Sequence, residues 1–281
     1  MKRMNFEKIL FSLKLMGIKE NDILLVHSAL TSIGHVEGGP DTVINALLAA
    51  VGEKGTVVMS TLTGWDAPFD PRNTPSAVGI ISERFRQRPD ALRSLHPVHS
   101  VAAIGLQARY ITEGHEHCPT GCGEGTPYMK VAELGGKVML LGVDMDRNTM
   151  MHTLEELADV RYLLTLDIPA PLYPHYHGKG SFTLKKFPPG HRDYLSITPL
   201  LRREGVMIEG KIGDAVTKVI DAQGLLRVAL PILRENPLHF ICENEHCNFC
   251  RFARNQYGSS NLIHHENHCL DPVCEICAVP Q

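Results

Sequence analysis

KVMLLGVDMDRNTMMHTLEE, residues 137–156, is the stretch on which the fold turns. Its first part, KVMLLGV (137–143), is apolar with no polar alternation. That is the pattern of a strand covered on both faces. Its second part starts at Asn148 and places Met151, Leu154, Leu157 and Ala158 at helical spacing, a stripe that would face a core. Asn148 can accept from an early backbone N–H and start the helix. The first helical turn therefore sits at the carboxyl end of a strand, where open α/β sheets bind ligands. His152, Glu155 and Asp159 form a second stripe, spaced by three and four residues. Glu155 can hold one ring nitrogen of His152 as a donor. The other nitrogen can then accept a proton, as a general base must. On spacing alone, a solvated His–Glu pair worth a few tenths of a kcal/mol is the simpler reading.

Similar units occur upstream. DILLVH (22–27), GTVVMST (55–61) and SVAAIG (100–105) are further apolar strands. NFEKILFSLKLMG (5–17) has helical spacing closed by Gly17, and PDTVINALLAAVG (40–52) has Pro40 in its first turn and Gly52 at its end. TPSAVGIISERFRQRP (74–89) predicts a helix with Thr74 as N-cap and Pro75 at the first helical position. Residues 165–210 read as irregular or antiparallel structure, and Asp214 to Arg234 as helix. Strands alternating with helices imply an α/β class: one large domain, its central sheet mostly parallel and flanked by helices.

The 281 residues carry a formal net charge of −3 and 43% hydrophobic residues, as in a globular protein. There is no basic run, which argues against a nucleic-acid partner. MKRMNFEKIL lacks the apolar core of a signal peptide, and no apolar run approaches the roughly 20 residues that span a bilayer. The expectation is a cytoplasmic protein without a membrane partner.

Three other segments hold candidate chemistry. HSALTSIGHVEGGPD (27–41) can present backbone N–H groups to an anion. It carries no dinucleotide or P-loop fingerprint, and a simple turn is the alternative. RSLHPVHSVAAIG (93–105) gathers Arg93, Ser94, His96 and Ser100 as donors for phosphate or amide groups; a polar loop before a strand is the alternative. The third is the tail, where six of the eight cysteines follow residue 240. Cys247 and Cys250 form one CxxC pair, and Cys274 and Cys277 a second. Two such pairs suit one tetrahedral, structural zinc ion. Reduced thiols in a loosely ordered tail are the alternative. His246, Cys242 and Cys269 lie close by in sequence. Cys118 and Cys122, in HCPTGC (117–122), sit in no recognisable nucleophile turn.

VHSALTSIGHVEGGPDTV, FDPRNTPSAVGIISERFRQRPDALRSLHPVHSVAAIG and GEGTPYMKVAELGGKVMLLGVDMDRNTMMHTLEE occur together in this order. In that combination the chain resembles the aminoglycoside 3-N-acetyltransferase family, strongly over roughly residues 20–165 and weakly elsewhere. The TPS, RSxHPxxSxAAxG and NTxxHxxE motifs carry the resemblance. It implies an α/β fold unlike that of the histone-related acetyltransferases, with acetyl-CoA as co-substrate. It implies acetyl transfer to an amine, foremost the 3-amino group of an aminoglycoside antibiotic. In the NTxxHxxE motif the family's His is the general base and its Glu the orienting residue, here His152 and Glu155. The pantetheine arm would run along Ser28, Ala29, Leu30, Thr31 and Ser32. Thr74, Ser76, Arg93, Ser94 and Ser100 would add cofactor contacts.

An aminoglycoside is a polycation, so carboxylates should line its pocket. Asp66, Asp70, Glu124, Asp144 and Asp146 lie in loops on the expected edge. The Cys/His-rich tail departs from the family pattern. The division expected is an acetyltransferase domain over 1–240 and a Cys/His-rich extension, with a zinc site or an oligomer contact, over 241–281. Two readings compete with an aminoglycoside acetyltransferase: the same fold acting on another amine, and a zinc-binding interaction module on a non-catalytic core.

Overall fold

The computed structural model describes residues 3–64, 66–175, 181–188, 190–244 and 246–258. The chain opens with β1 (Arg3–Met4), α1 (Phe6–Leu15), β2 (Ile23–Ser28), α2 (Leu30–Ile33), β3 (His35–Val36) and α3 (Gly39–Val51). It continues through β4 (Thr56–Ser60), α4 (Ile80–Arg86), β5 (Leu92–Arg93), β6 (Val101–Gly105), α5 (Ala108–Thr112), α6 (Pro127–Glu133) and β7 (Lys137–Leu141). Then come α7 (Met150–Leu157), β8 (Leu164–Ile168), β9 (Phe182–Phe187), α8 (Thr198–Arg203), β10 (Met207–Ile212), β11 (Ala215–Asp221), α9 (Ala222–Glu235) and α10 (Asn248–Gly258).

Seven strands form the central sheet in the order β10-β11-β7-β2-β4-β6-β5. Alternate residues of its strands feed two cores. Leu25, Val58, Val138 and Leu140 face the layer of α5, α6, α7, α9 and α10. Leu24, Val26, Val57, Met59 and Met139 face α1, α3 and α4. Burial on both faces is why these strands carry no polar alternation. A third, smaller cluster joins the β8–β9 hairpin to Phe69, Val98 and Tyr173.

Three expectations change. The sheet is parallel only at its centre, where β2 pairs with β4 and β7; β6 runs antiparallel to β4, β5 to β6, β11 to β7 and β10 to β11. The two-residue link between β10 and β11, with Gly213 at φ +63°, allows only antiparallel pairing. Residues 215–221 are strand, so the helix expected from Asp214 begins at Ala222, capped by Asp221. The helix expected at Thr74 begins at Ile80. Thr74 instead closes a turn, its Oγ1 accepting from Asp70 N–H at 2.8 Å. Ala77 N–H bonds Leu62 O at 2.9 Å, which pins this stretch along the strand exit.

The tail is also part of this packing. Phe240, Cys247, Phe249, Cys250 and Ala253 belong to the same buried cluster as α7 and α9. No helix among the described residues is long and apolar enough to cross a membrane.

Candidate active site

The parallel strands β2, β4 and β7 all end at one edge, and the site lies there. After β7 the chain makes a short 3-10 turn, Met145–Arg147. Asp144 fixes it by accepting from Met145 N–H at 2.7 Å and from Lys218 Nζ on β11. Asn148 then accepts from Met150 N–H at 3.1 Å, as its position predicts, with Thr149 at the cap. His152 follows in the first turn of α7.

Nδ1 of His152 lies 2.9 Å from Oε2 of Glu155 and 3.0 Å from the Tyr194 hydroxyl. The other oxygen, Oε1, accepts from Tyr162 Oη at 3.1 Å and from Arg192 Nε. The Arg192 guanidinium lies over the rings of Phe249 and Tyr162, at 4.3 and 4.7 Å. Glu155 has no exposed side-chain surface, whereas His152 keeps 22%. Burial pushes the Glu155 carboxyl up, but the Arg192 charge and the bond from His152 more than offset it and hold the group at about 2. A permanent carboxylate accepts only, so the proton of a neutral His152 belongs on Nδ1. Nε2 is then the basic nitrogen.

Two buried histidines flank His152. Burial, then the nearness of His152, lowers His27 at the end of β2 to about 4. Burial, His152 and His115 hold His99, ahead of β6, at about 3. Next to Glu155, Glu156 is also buried and accepts from Cys122 N–H at 2.9 Å; burial raises it to about 7. α7 is therefore buried on most sides; of the stripe read as polar, Glu155 faces inward, His152 is half-buried, and Asp159, just past the helix, is exposed and pairs with Lys186 at 2.8 Å.

The expected cofactor residues divide into two groups. Ser28 ends β2 with its hydroxyl buried and without a hydrogen-bond partner among the described residues. Ala29 N–H bonds Leu141 O at 3.0 Å, and Ser32 Oγ bonds Gly142 O at 2.8 Å. The Ser28–Ser32 loop, with Leu30 and Thr31 opening α2, is thus tied to the exit of β7. Thr74 and Ser76 lie in the neighbouring turn, where Ser76 N–H bonds Glu83 Oε2 at 2.7 Å. Arg93, Ser94 and Ser100 are committed inside the protein. Arg93 donates to the carbonyls of Thr61 and Thr74 at 2.8 and 2.6 Å and lies over Phe69. Ser94 pairs with His115 Nδ1 at 2.9 Å, and Ser100 Oγ with Thr61 O at 2.8 Å. They brace the strand exits. His96, 0% exposed, stacks on His115 at 4.4 Å.

Among the expected substrate carboxylates, Asp66, Glu124 and Asp146 are exposed, and Asp146 pairs with Arg147 at 3.2 Å. Asp70 caps its own turn through Arg72 and Asn73, and Asp144 is held by Lys218. Burial pushes the thiols of Cys118 and Cys122 up, which leaves neither as a nucleophilic thiolate.

Arg192 and Tyr194 were not legible in the sequence. They lie in GHRDYL (190–195), a segment without periodicity, and reach α7 only through the fold. Of the zinc ligands expected, Cys247 and Cys250 come together, but with Cys242 and His191. Cys274 and Cys277 lie outside the described residues.

A mixed α/β sheet carries, at its carboxyl edge, a buried Glu that holds a half-open His, an arrangement able to accept a proton. Residues 25–234 match the family of aminoglycoside 3-N-acetyltransferases, and the chain belongs to that family. An aminoglycoside N(3)-acetyltransferase IV from Salmonella is 33% identical over 80% of this chain and 86% of its own length. An aminoglycoside N(3)-acetyltransferase III from Salmonella is 37% identical over 57% of this chain, a stretch that spans 64% of that relative. Among solved structures, the apoenzyme of aminoglycoside acetyltransferase AAC(3)-IVa superposes with a TM-score of 0.80 at 30% identity, over 90% of this chain and 97% of that one. A histidine-to-alanine variant of that enzyme in complex with gentamicin gives 0.82, also at 30% identity, over 91% and 98%. AAC-IIIb with CoASH gives 0.73 at 27% identity, over 83% and 97%.

Proposed function

We propose that this chain transfers the acetyl group of acetyl-CoA to the 3-amino group of an aminoglycoside, with His152 as general base and Glu155 as its orienting residue. The observation that carries this is the His152–Glu155 pair, a half-open imidazole on a fully buried carboxylate at the sheet edge. Relatives of the same fold have been seen with CoASH and with gentamicin.

An ammonium nitrogen has no lone pair to attack with, so the acceptor amine must first lose a proton. Nε2 of His152 takes the proton from the attacking nitrogen, directly or through a water. The lone pair attacks the thioester carbonyl, the C–S bond breaks as the tetrahedral intermediate collapses, and the thiolate takes up the second proton shed by the nitrogen, so that CoA leaves as the thiol. The imidazolium that forms lies against the Glu155 carboxylate. Base catalysis of this kind contributes about 100- to 10,000-fold. Holding amine and thioester together contributes much of the rest. The Ser28–Ser32 loop takes the pantetheine arm, and the Ser28 hydroxyl, without a partner among the described residues, offers it a hydrogen bond. Thr74 and Ser76 flank the arm. Asp66, Glu124 and Asp146, exposed in loops, supply negative charge for the polycation.

The test is thiol release from acetyl-CoA with a panel of aminoglycosides and simple amines, run beside His152→Ala. Turnover with 2-deoxystreptamine aminoglycosides and a loss of at least about 100-fold in the variant are expected. Undiminished turnover in the variant refutes the base assignment. Turnover with simple amines alone reassigns the acceptor.

A further inference from the structure

Where the loop after β9 meets the start of α10, three thiols and an imidazole converge. His191 comes from the loop after β9, Cys242 from the loop after α9, and Cys247 and Cys250 from the start of α10. One ligand atom from each lies within 4.8 Å of all the others. Cys250 Sγ is 3.7 Å from Nδ1 of His191. No disulfide joins these cysteines. Cys247 and Cys250 are 1% and 0% exposed.

Thiols do serve as small apolar core residues. That role, however, gives no reason for three to gather round the nitrogen of a histidine that itself reaches solvent. Cys3His is a donor set of closed, four-coordinate structural zinc. At a Zn–S distance of about 2.3 Å, tetrahedral ligand atoms sit about 3.8 Å apart. The observed spread needs only small side-chain rotations to reach that figure. The backbone is already shaped as a knuckle. Cys247 N–H bonds Asn244 O at 3.1 Å, and Arg254 donates to the carbonyls of Cys242 and Asn244.

We infer that His191, Cys242, Cys247 and Cys250 bind one zinc ion, which staples the start of α10 to the loop carrying Arg192 and so positions the Glu155–His152 pair. The link is short. His191 is the ligand, and Arg192, the next residue, reaches Glu155. Phe249, between two of the cysteines, covers the Arg192 guanidinium at 4.3 Å. Gly190 is at φ +76°, and a Cβ there would fall 2.3 Å from the Phe249 ring. The loop therefore lies flat against α10 where the metal would hold it. Four protein ligands close the site, so Cys274 and Cys277 are not needed.

The effect on catalysis rests on the acetyl-transfer reading; the metal site does not. The full chain, purified without chelator and without added metal, should contain one zinc per chain by elemental analysis. The Cys274→Ser/Cys277→Ser double variant should keep it. Cobalt exchanged into the site should show thiolate-to-metal charge-transfer absorption, and His191→Cys should intensify that band while retaining one metal. Stripping zinc from the intact protein should lower kcat at least tenfold, with activity restored on adding zinc back. Absence of zinc from the intact protein, or a disulfide among these cysteines, would overturn the site. Loss of zinc in the tail double variant, or an unchanged cobalt spectrum in His191→Cys, would overturn this ligand set. Full metal occupancy with kcat unaffected by its removal would overturn the positioning role alone.

Discussion

Arg192 and Glu155 form an ion pair with side chains 2% and 0% exposed, and the same carboxylate holds His152 across one turn of α7. Removing one partner strands the other charge in the core, at a cost of about 3–5 kcal/mol. Replacing both by apolar groups avoids that cost. Glu155→Gln and Arg192→Met should each lower stability by that order. The double variant should lose clearly less than the two single losses combined. Urea unfolding of the four proteins checks this, and strictly additive losses would show that the pair is not coupled.

The Tyr194 hydroxyl sits 3.0 Å from the ring nitrogen that also meets Glu155. It helps fix the ring but does not replace the carboxylate. Tyr194→Phe should lower kcat about three- to tenfold and leave KM for both substrates nearly unchanged. A rise in KM with constant kcat would make Tyr194 a substrate contact instead.

These two residues also show where the sequence stops being informative. β2, β4, β6 and β7 are legible because burial on both faces leaves an apolar run. His152 and Glu155 are legible because helical spacing fixes their separation. The antiparallel strands at the sheet edges depend on turn lengths and on partners far away in sequence. AVTKVID (215–221) reads as helix in sequence although it is rich in β-branched residues, because the apolar stripe of α9 runs on directly from it. Arg192 and Tyr194 reach the site from a segment with no period at all. His191 and Cys242 are separated by half a hundred residues, so no CxxC spacing could pair them. Arg93 reads in sequence either as a donor for phosphate or amide groups or as part of a polar loop. In the fold its donors meet carbonyls, which a linear motif cannot show.

Gly142 joins the exit of β7 to the loop proposed to carry the pantetheine arm. It sits at φ +70°, and a Cβ there would fall 2.5 Å from Ser32 Cβ and 3.1 Å from Ala215 Cβ. The left-handed conformation alone costs a side chain about 1–2 kcal/mol, and relieving the contact must move Ser32. Gly142→Ala should therefore destabilise the protein by about 2–4 kcal/mol. It should also raise KM for acetyl-CoA more than it lowers kcat. Wild-type stability and KM would refute the coupling of this turn to the cofactor loop.

Mild acid should weaken the fold through buried histidines. Burial is the main cause that lowers His27 to about 4, and His99 and His115 to about 3, from an ordinary 6.5. A depressed folded value means stability that is fully present above 6.5 and is lost as pH falls. The unfolded chain binds these protons and the folded chain does not. At pH 5 each imidazole is about 1.5 pH units below its unfolded value, which amounts to about 2 kcal/mol each. Glu156 acts in the opposite sense. Its folded value is raised to about 7 from 4.5, so its contribution is complete below 4.5 and is lost as pH rises through 7. Between pH 7 and pH 5 it restores about 2 kcal/mol. Glu155, held at about 2, contributes stability that is lost only below 4.5. His96, also fully buried and lowered by that burial, adds to the loss in the same sense. The wild-type protein should therefore lose at least about 4 kcal/mol from pH 7 to pH 5, and Glu156→Gln at least about 6 kcal/mol. Urea unfolding at the two pH values, at equal metal content, measures both. A wild-type protein as stable at pH 5 as at pH 7 would show that the buried histidines take up protons without unfolding. A smaller acid loss in Glu156→Gln than in wild type would reverse the sign assigned to Glu156.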